Sequence, residues 1–348
     1  MDWDKLVQLI VNGLTLGGVY ALVALGFSMV YGILKLLNLA HGDVVMVGAF
    51  IGWGVLGWLG GAQDPAVAVW LLITLMVLAA MVGCGFIGVA IERFAYRPLR
   101  RAPRIAPLIS ALGVSFFIQN SVLLLFGANF RSYESFDLVD VGIGISWGPL
   151  NVWILRVVVF VSALAMMLGL WLLVTRTKLG KAMRATAFDR EAAAMMGIDV
   201  DRVIVRTFFI GSALAGAAGV LIGLVFGSIN HFMGFGYGLK GFTAAVVGGI
   251  GSIPGAMLGG LLIGLAEALS RGDGRLRLAA SRLEALSPLA VLSRGYAIVT
   301  REGETKPLTD SAAVGVGDGL DIRLHRGRIR GEVKEVETQD EDMGSGTR

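Results

Sequence analysis

The chain has 348 residues, 55% hydrophobic and only 16% charged, with a mean hydropathy of +0.73. Soluble domains carry roughly 25% charged residues, so this balance excludes an ordinary soluble protein and indicates a polytopic membrane protein. The formal net charge of +4 lies wholly in residues 1–269, with 17 basic and 13 acidic residues against 13 and 13 in residues 270–348; a charge excess in membrane loops sets orientation and gives little reason to expect a nucleic-acid partner.

A helix needs about 20 apolar residues to cross the hydrocarbon core. Candidate spans fall at residues 6–34, 43–60, 67–91, 107–127, 152–174, 205–227 and 242–269. The expected fold is therefore an all-α polytopic membrane protein of seven to eight membrane helices. The first span is long enough to be one tilted helix or a helix broken near Gly17 and Gly18. The opening MDWDK lacks a basic n-region, so no cleavable signal is expected. Cys84 is the one cysteine and cannot form an internal disulfide.

Loop charges give the sidedness. The 92–104 loop holds five arginines against Glu92, and the 175–206 loop holds seven basic residues against four acidic. Both are expected in the cytoplasm. The 128–151 loop holds Arg131 against Glu134, Asp137 and Asp140 and is expected outside. Counting one further crossing over 242–269 returns the chain to the cytoplasm, which would make the polar tail cytosolic.

Small residues recur every four positions at Gly219, Gly223 and Gly227, at Gly255 and Gly259, and at Gly260 and Gly264. Such ridges let membrane helices approach closely. GGIGSIPGA (248–256) lacks the preceding strand and following acidic residue of a dinucleotide loop. A helix broken by Pro254 and its glycines is expected instead.

Polar residues inside spans are costly and mark functional sites by default. Asn38, His41 and Asp43 form one group between the first two spans, and Gln119 and Asn120 form another within the fourth. Each group has two readings: a helix cap at the membrane boundary or interhelical hydrogen bonding on one hand, the lining of a pathway on the other. His41, His231 and His325 are far apart in the expected topology, so no metal site is expected.

On the 175–206 loop, Asp189 is placed to N-cap a short helix, with Glu191 in its first turn. Ala192, Met195 and Met196 then share one apolar face and Gly197 takes the position after the helix. A small apolar knob with adaptable methionines suits docking into a partner's groove, or else lies on the lipid surface.

Three blocks carry a family resemblance: GLTLGGVYALVALGFSMVYGILKLLNLAHGDVVMVGAF, the EAAAMMGI loop, and GLKGFTAAVVGGIGSIPGAMLGGLLIGLAEAL. Residues 5–269 closely resemble the permeases of branched-chain amino acid ABC importers. The resemblance implies a lipid-embedded subunit that pairs with a second permease, two cytosolic ATPase subunits and an external substrate-binding protein. It assigns the coupling role to Glu191, Ala192, Ala193 and Gly197. ATP would bind the partners, and this chain would bind no cofactor and catalyse no reaction.

Such permeases continue past LAEAL into a last hydrophobic span, which has no counterpart after Leu269. Instead, residues 275–336 resemble the C-terminal end of the exodeoxyribonuclease VII large subunit, with short strands near 295–301 and 319–325 and without the nuclease's catalytic region. The expected domains are thus 1–269, a small α+β segment over 270–338, and a disordered 339–348. The alternatives are a membrane-anchored nucleic-acid-associated protein and a non-native fused gene product. Arg323, Arg326, Arg328, Arg330 and Lys334 could touch phosphates, but the balanced charge of the tail favours a solvated strand pair.

Overall fold

The computed structural model describes residues 3–60, 69–100, 102–103, 105–133, 144–147, 150–285, 298–304, 306–308, 310–323 and 327–336. The expected disordered end, 339–348, lies outside these. The chain divides into two compact units, Met1–Ser270 and Arg271–Arg348.

The first unit is helical: α1 (Trp3–Leu34), α2 (His41–Trp58), α3 (Val69–Ile91), α4 (Ile105–Phe126), α5 (Ile154–Arg176), α6 (Lys178–Phe188), α7 (Arg190–Met195), α8 (Val200–Phe226), α9 (Met233–Val247) and α10 (Ile253–Ala285), the last continuing past Ser270. After α3 the chain winds as a π-helix over Glu92–Tyr96 and a single 3₁₀ turn over Arg97–Leu99. Among the described residues six helices are long and apolar enough to cross a membrane: α1, α3, α4, α5, α8 and the first part of α10. At 1.5 Å per residue, the 18 residues of α2 rise about 27 Å and the 15 of α9 about 22 Å, short of a hydrocarbon core about 30 Å thick.

Two expectations about helix breaks resolve differently. α1 runs unbroken through Gly17 and Gly18, because those glycines are contact points: a Cβ at Gly17 would lie 2.8 Å from the Leu261 backbone, and one at Gly18 would meet Ala163. Residues 242–269 do not form one helix. α9 stops at Val247, the chain turns through Gly249 (φ +87°) and Gly251 (φ +92°), and Pro254 sits in the first turn of α10, where its missing N–H costs nothing.

α8 is the axis of the unit. Asp199 caps its start by accepting from the Arg202 amide at 3.0 Å, and most of its length is buried among α1, α2, α3 and α5. A Cβ at Gly216 would overlap the Ala80 carbonyl of α3, and one at Gly219 the Val45 carbonyl of α2. α10 uses the same device: Gly255 and Gly259 meet the backbone at Gly248 and Ala244, and Gly260 and Gly264 meet α1 at Ala21 and Gly17. The expected ridge is corrected at its other two positions. Gly223 faces the ring of Tyr133, from the loop after α4, and Gly227 ends α8 in a left-handed turn (φ +68°) with open space around it.

The ends of the unit can be told apart. At one end, Arg97 and Arg100 pair with Asp201 at 3.0 and 2.5 Å, and Arg190 donates to the Ile33 carbonyl at the close of α1. The two arginine-rich loops thus meet on one side, as the charge rule requires. At the other end, β1 (Arg131–Ser132), β2 (Gly144–Trp147), β3 (Leu150–Trp153) and β4 (Ser228–Ile229) form two antiparallel pairs, β1 with β4 and β2 with β3, and Arg156 at the start of α5 contacts Asn12. α1 and α10 are antiparallel: Gly32 lies beside Gly251, Gly17 beside Leu261, and Gly13 beside Leu265 and Ala268.

In the second unit β5 (Ile298–Arg301), β6 (Gly319–Arg323) and β7 (Arg328–Glu332) form an antiparallel sheet in the order β5-β6-β7, pairing Val299 with Ile322 and Ile322 with Ile329. The alternation in these strands predicts one inward face. No described residue from 299 to 336 is buried, however, and Ile329 is 52% exposed. Three short strands make a core only against a second layer.

Gly219→Leu should drive a side chain into the Val45 carbonyl, an overpacking cost of about 3 kcal/mol or more because backbone must move. Gly113→Ala, in an open stretch of α4, should be neutral or stabilising by about 0.5 kcal/mol. Thermal unfolding of the detergent-purified protein checks both, and equal effects would refute the close-packing account.

Candidate functional site

The residues expected to line a pathway sort into three fates. Asp43 and Gln119 come together. Asp43 is buried in the first turn of α2, but it caps nothing: α2 starts from Ala40 with no side-chain cap, which corrects the expected capping by Asn38 or Asp43. Its carboxylate turns sideways to α4, where Ser115 Oγ donates to Oδ2 at 2.5 Å and Gln119 Nε2 to Oδ1 at 2.9 Å. Asn38 and His41 are buried behind this cluster. Asn38 Oδ1 accepts from Tyr96 at 3.3 Å, and the His41 ring stands edge-on to Phe27 and against Gly26. Asn120 is excluded: it faces out of the unit and donates back to the Phe116 carbonyl at 2.8 Å.

Asp43, Ser115 and Gln119 open into a cavity of about 270 Å³ between α1, α2, α4 and α9, walled by Phe27, Phe116, Phe235 and Phe242 with Leu112 and Leu239. Its depth follows from α1. His41 packs on Gly26, roughly two turns of helix in from the end of α1 at Leu34. The 35–40 connection therefore dips inward, and α2 begins inside the unit rather than at its surface. Sequence reading missed Ser115 and the phenyl walls. Ser115 precedes Gln119 by one helical turn, so its shared face was legible once Gln119 was singled out.

A second polar cluster went unrecognised. Lys240 Nζ lies 2.7 Å from Glu267 Oε1 and 3.2 Å from the Tyr20 hydroxyl, which donates to Glu267 Oε2 at 2.8 Å. It ties α9 to α1 and α10.

At the end of the unit that carries the arginine-rich loops, Asp189 caps α7 as its sequence predicts, accepting from the Glu191 and Ala192 amides at 2.9 and 3.0 Å. The helix closes with the Ile198 amide bonded to the Ala193 carbonyl and the Gly197 amide to that of Ala194, and Gly197 takes φ +82°. This paired closure needs a left-handed residue after the helix. Ala193 turns inward, while Glu191, Met195 and Met196 are exposed, the methionines at 82% and 83%; Phe188 beside them is also exposed. Burial, and then the nearby Arg100 guanidinium, hold Arg190 below its ordinary pKa. Arg100 itself bridges Asp201 to Glu92, whose side chain is fully buried.

The family described as "Branched-chain amino acid transport system / permease component" matches residues 9–278. The chain belongs to this permease family. The permease is 42% identical over 265 residues to the high-affinity branched-chain amino acid transport permease LivH of Salmonella typhimurium, covering 76% of this chain and 85% of that one. It is 43% identical to LivH of Escherichia coli over the same shares, and 44% identical over 276 residues to BraD of Pseudomonas aeruginosa, covering 75% and 85%. These relatives are transport subunits and not enzymes. No solved structure matches. The relatives and the apolar helices make the permease an integral inner-membrane protein.

The family described as "Exonuclease VII, large subunit" matches residues 261–332, overlapping the permease match. The exodeoxyribonuclease 7 large subunit of Moorella thermoacetica is 48% identical over 61 residues, 18% of this chain and only 15% of that protein. Among the described tail residues, arginines pair with acids: Arg301 with Asp318 at 3.0 Å, Arg328 with Asp321 at 3.8 Å and Arg330 with Glu302 at 3.6 Å. The described strands thus carry a mixture of both charges.

Arg100→Ala should leave Glu92 buried without its cation and cost about 3–5 kcal/mol. The double variant Glu92→Gln/Arg100→Gln should lose less than the single one. Melting temperatures of the purified proteins decide, and a double variant worse than the single would show that the pair is not what holds this end.

Proposed function

We propose that this permease is the membrane subunit of an ABC importer for branched-chain amino acids or related small molecules. It would work with a second permease, two cytosolic ATPases and an external binding protein. The observation that carries the reading is the similarity to branched-chain amino acid permeases along residues 9–278. ATP binds the partner subunits, and this chain binds no cofactor.

The α7 loop suits the coupling role. A capped helix of six residues, held from behind by Ala193, presents Met195, Met196 and Phe188 outward on the side where both arginine-rich loops lie. A rigid apolar knob of this kind fills a partner's groove with little ordering cost. Met195→Asp with Met196→Asp should abolish ATP hydrolysis stimulated by the loaded binding protein, without changing the amount of folded subunit. Gly197→Val should do so through the helix closure, since a β-branched residue at positive φ is strained. If the assembled complex carrying either change hydrolyses ATP and takes up leucine normally, α7 is not the coupling element.

Sidedness also follows. With the arginine-rich loops inside, the Ile33 end of α1 is cytoplasmic, and its Asn12 end, beside Arg156, is external. α10 runs antiparallel to α1, so Leu265 and Ala268 reach the external end and residues after Ser270 leave on that side. On this reading the tail is external, where counting spans puts it in the cytosol. The count took 242–269 as one crossing, whereas the turn at 248–252 makes α10 a crossing of its own. Protease added to intact spheroplasts should remove the tail, and inverted vesicles should protect it. The reverse pattern would restore the cytosolic assignment.

A further inference from the structure

The cavity beside Asp43 has a chemistry that neither the relatives nor the coupling loop accounts for. Asp43 is 2% exposed, and its two oxygens are held from one side by neutral donors, Ser115 and Gln119. None of the ion pairs among the described residues includes it. A carboxylate inside a membrane domain is expensive and normally pairs with a cation. Asp43 lines a cavity of about 270 Å³ whose larger side chains are mostly phenyl and leucyl. Phenyl faces attract cations as well as alkyl groups. The cavity also sits where two helices begin inside the unit: Gly42 of α2, Gly234 and Phe235 of α9, and Phe232 just before α9 line it. Discontinuous helices starting at depth mark substrate sites in transporters.

We propose that Asp43, held by Ser115 and Gln119, receives the ammonium group of an α-amino acid in transit while the phenylalanine walls take its branched side chain. This rests on the reading of the chain as an amino-acid permease and adds the site at which the substrate's amine is recognised. Two features fit that ligand together. A compact primary ammonium offers three N–H donors to a carboxylate that already has its remaining geometry fixed. The apolar volume beside it favours a short branched alkyl group over a polar one.

The test uses the full chain with Leu112 or Phe235, both in the cavity wall, replaced by cysteine; the native Cys84 is buried. Labelling by a membrane-permeant thiol reagent is followed with three additions: L-leucine, isopentylamine and 4-methylpentanoate. The expected result is that leucine and isopentylamine slow labelling, whereas 4-methylpentanoate, which lacks the amine, does not. Asp43→Asn should abolish that protection, and Ser115→Ala should raise the concentration needed several-fold. Because labelling without ligand reports the folded cavity, a variant that fails to fold is identified, and Ser115→Ala then carries the comparison. In the assembled complex, Asp43→Asn should lower leucine uptake at least about tenfold, the scale of one charge-assisted hydrogen bond, while ATP hydrolysis persists. Equal protection by 4-methylpentanoate and isopentylamine, or unchanged leucine uptake in Asp43→Asn, would overturn the proposal. A wild-type complex that moves no leucine would sink the amino-acid reading alone, since protection by isopentylamine that depends on Asp43 would still establish the amine site.

Discussion

The membrane unit depends on backbone-to-backbone contact at Gly216 and Gly219. There α8 is pressed against the Ala80 carbonyl of α3 on one side and the Val45 carbonyl of α2 on the other. Lipid offers helices no hydrophobic reason to associate, so their stability comes from van der Waals contact at short range. Any side chain at these two positions would separate the axis helix from both neighbours at once. The arrangement extends outward through Gly48, which faces Gly216, and through Gly88, which receives Ser212. The twofold excess of glycine over the usual share thus has a mechanical purpose.

Close packing of the axis also fixes the depth of the chemistry. With α1 and α8 in contact at Gly26 and Gly211, His41 has room only against Gly26, and α2 is obliged to begin inside the unit. Its first turn carries Asp43 to the level of Ser115 and Gln119 on α4. α9 approaches the same level because Gly234 and Gly238 allow it to lie against Gly42. The cavity is the space left where two helices start and a third passes by. α4 is the most loosely seated of the spanning helices, with Phe116, Phe117, Leu124 and Leu125 exposed, so one wall of the cavity is also the outer face of the unit.

At the end that carries the arginine-rich loops, polar rather than apolar contacts hold the elements in place. Arg100 joins the turn after α3 to the first turn of α8 through Asp201, and to its own helix end through the buried Glu92. Arg190, the first residue of α7, reaches the last turn of α1. Arg190 thus ties α7 directly to α1, whose Phe27 lines the Asp43 cavity.

Much of this was determined by the sequence alone. Low charge and long apolar runs fixed a helical membrane unit; Asp189, Glu191 and Gly197 fixed a short capped helix, because capping is a local interaction completed within three residues. The four-residue glycine spacing announced close packing, though it did not distinguish Gly219, which meets a helix, from Gly223, which meets Tyr133, or Gly227, which only ends α8. The composition change near Ser270 marked a seam. What only the tertiary structure decided was where distant segments met. Asp43 and Gln119 looked alike with Asn38 and Asn120 as polar residues in apolar runs, and helix phase against a neighbour 76 residues away separated them. The direction of α10 escaped the count of spans for a similar reason. The last six residues of α9 and a 17-residue apolar stretch read as one hydrophobic run, 242–269, until Gly249 and Gly251 turn the chain back, and hydropathy has no sign for direction.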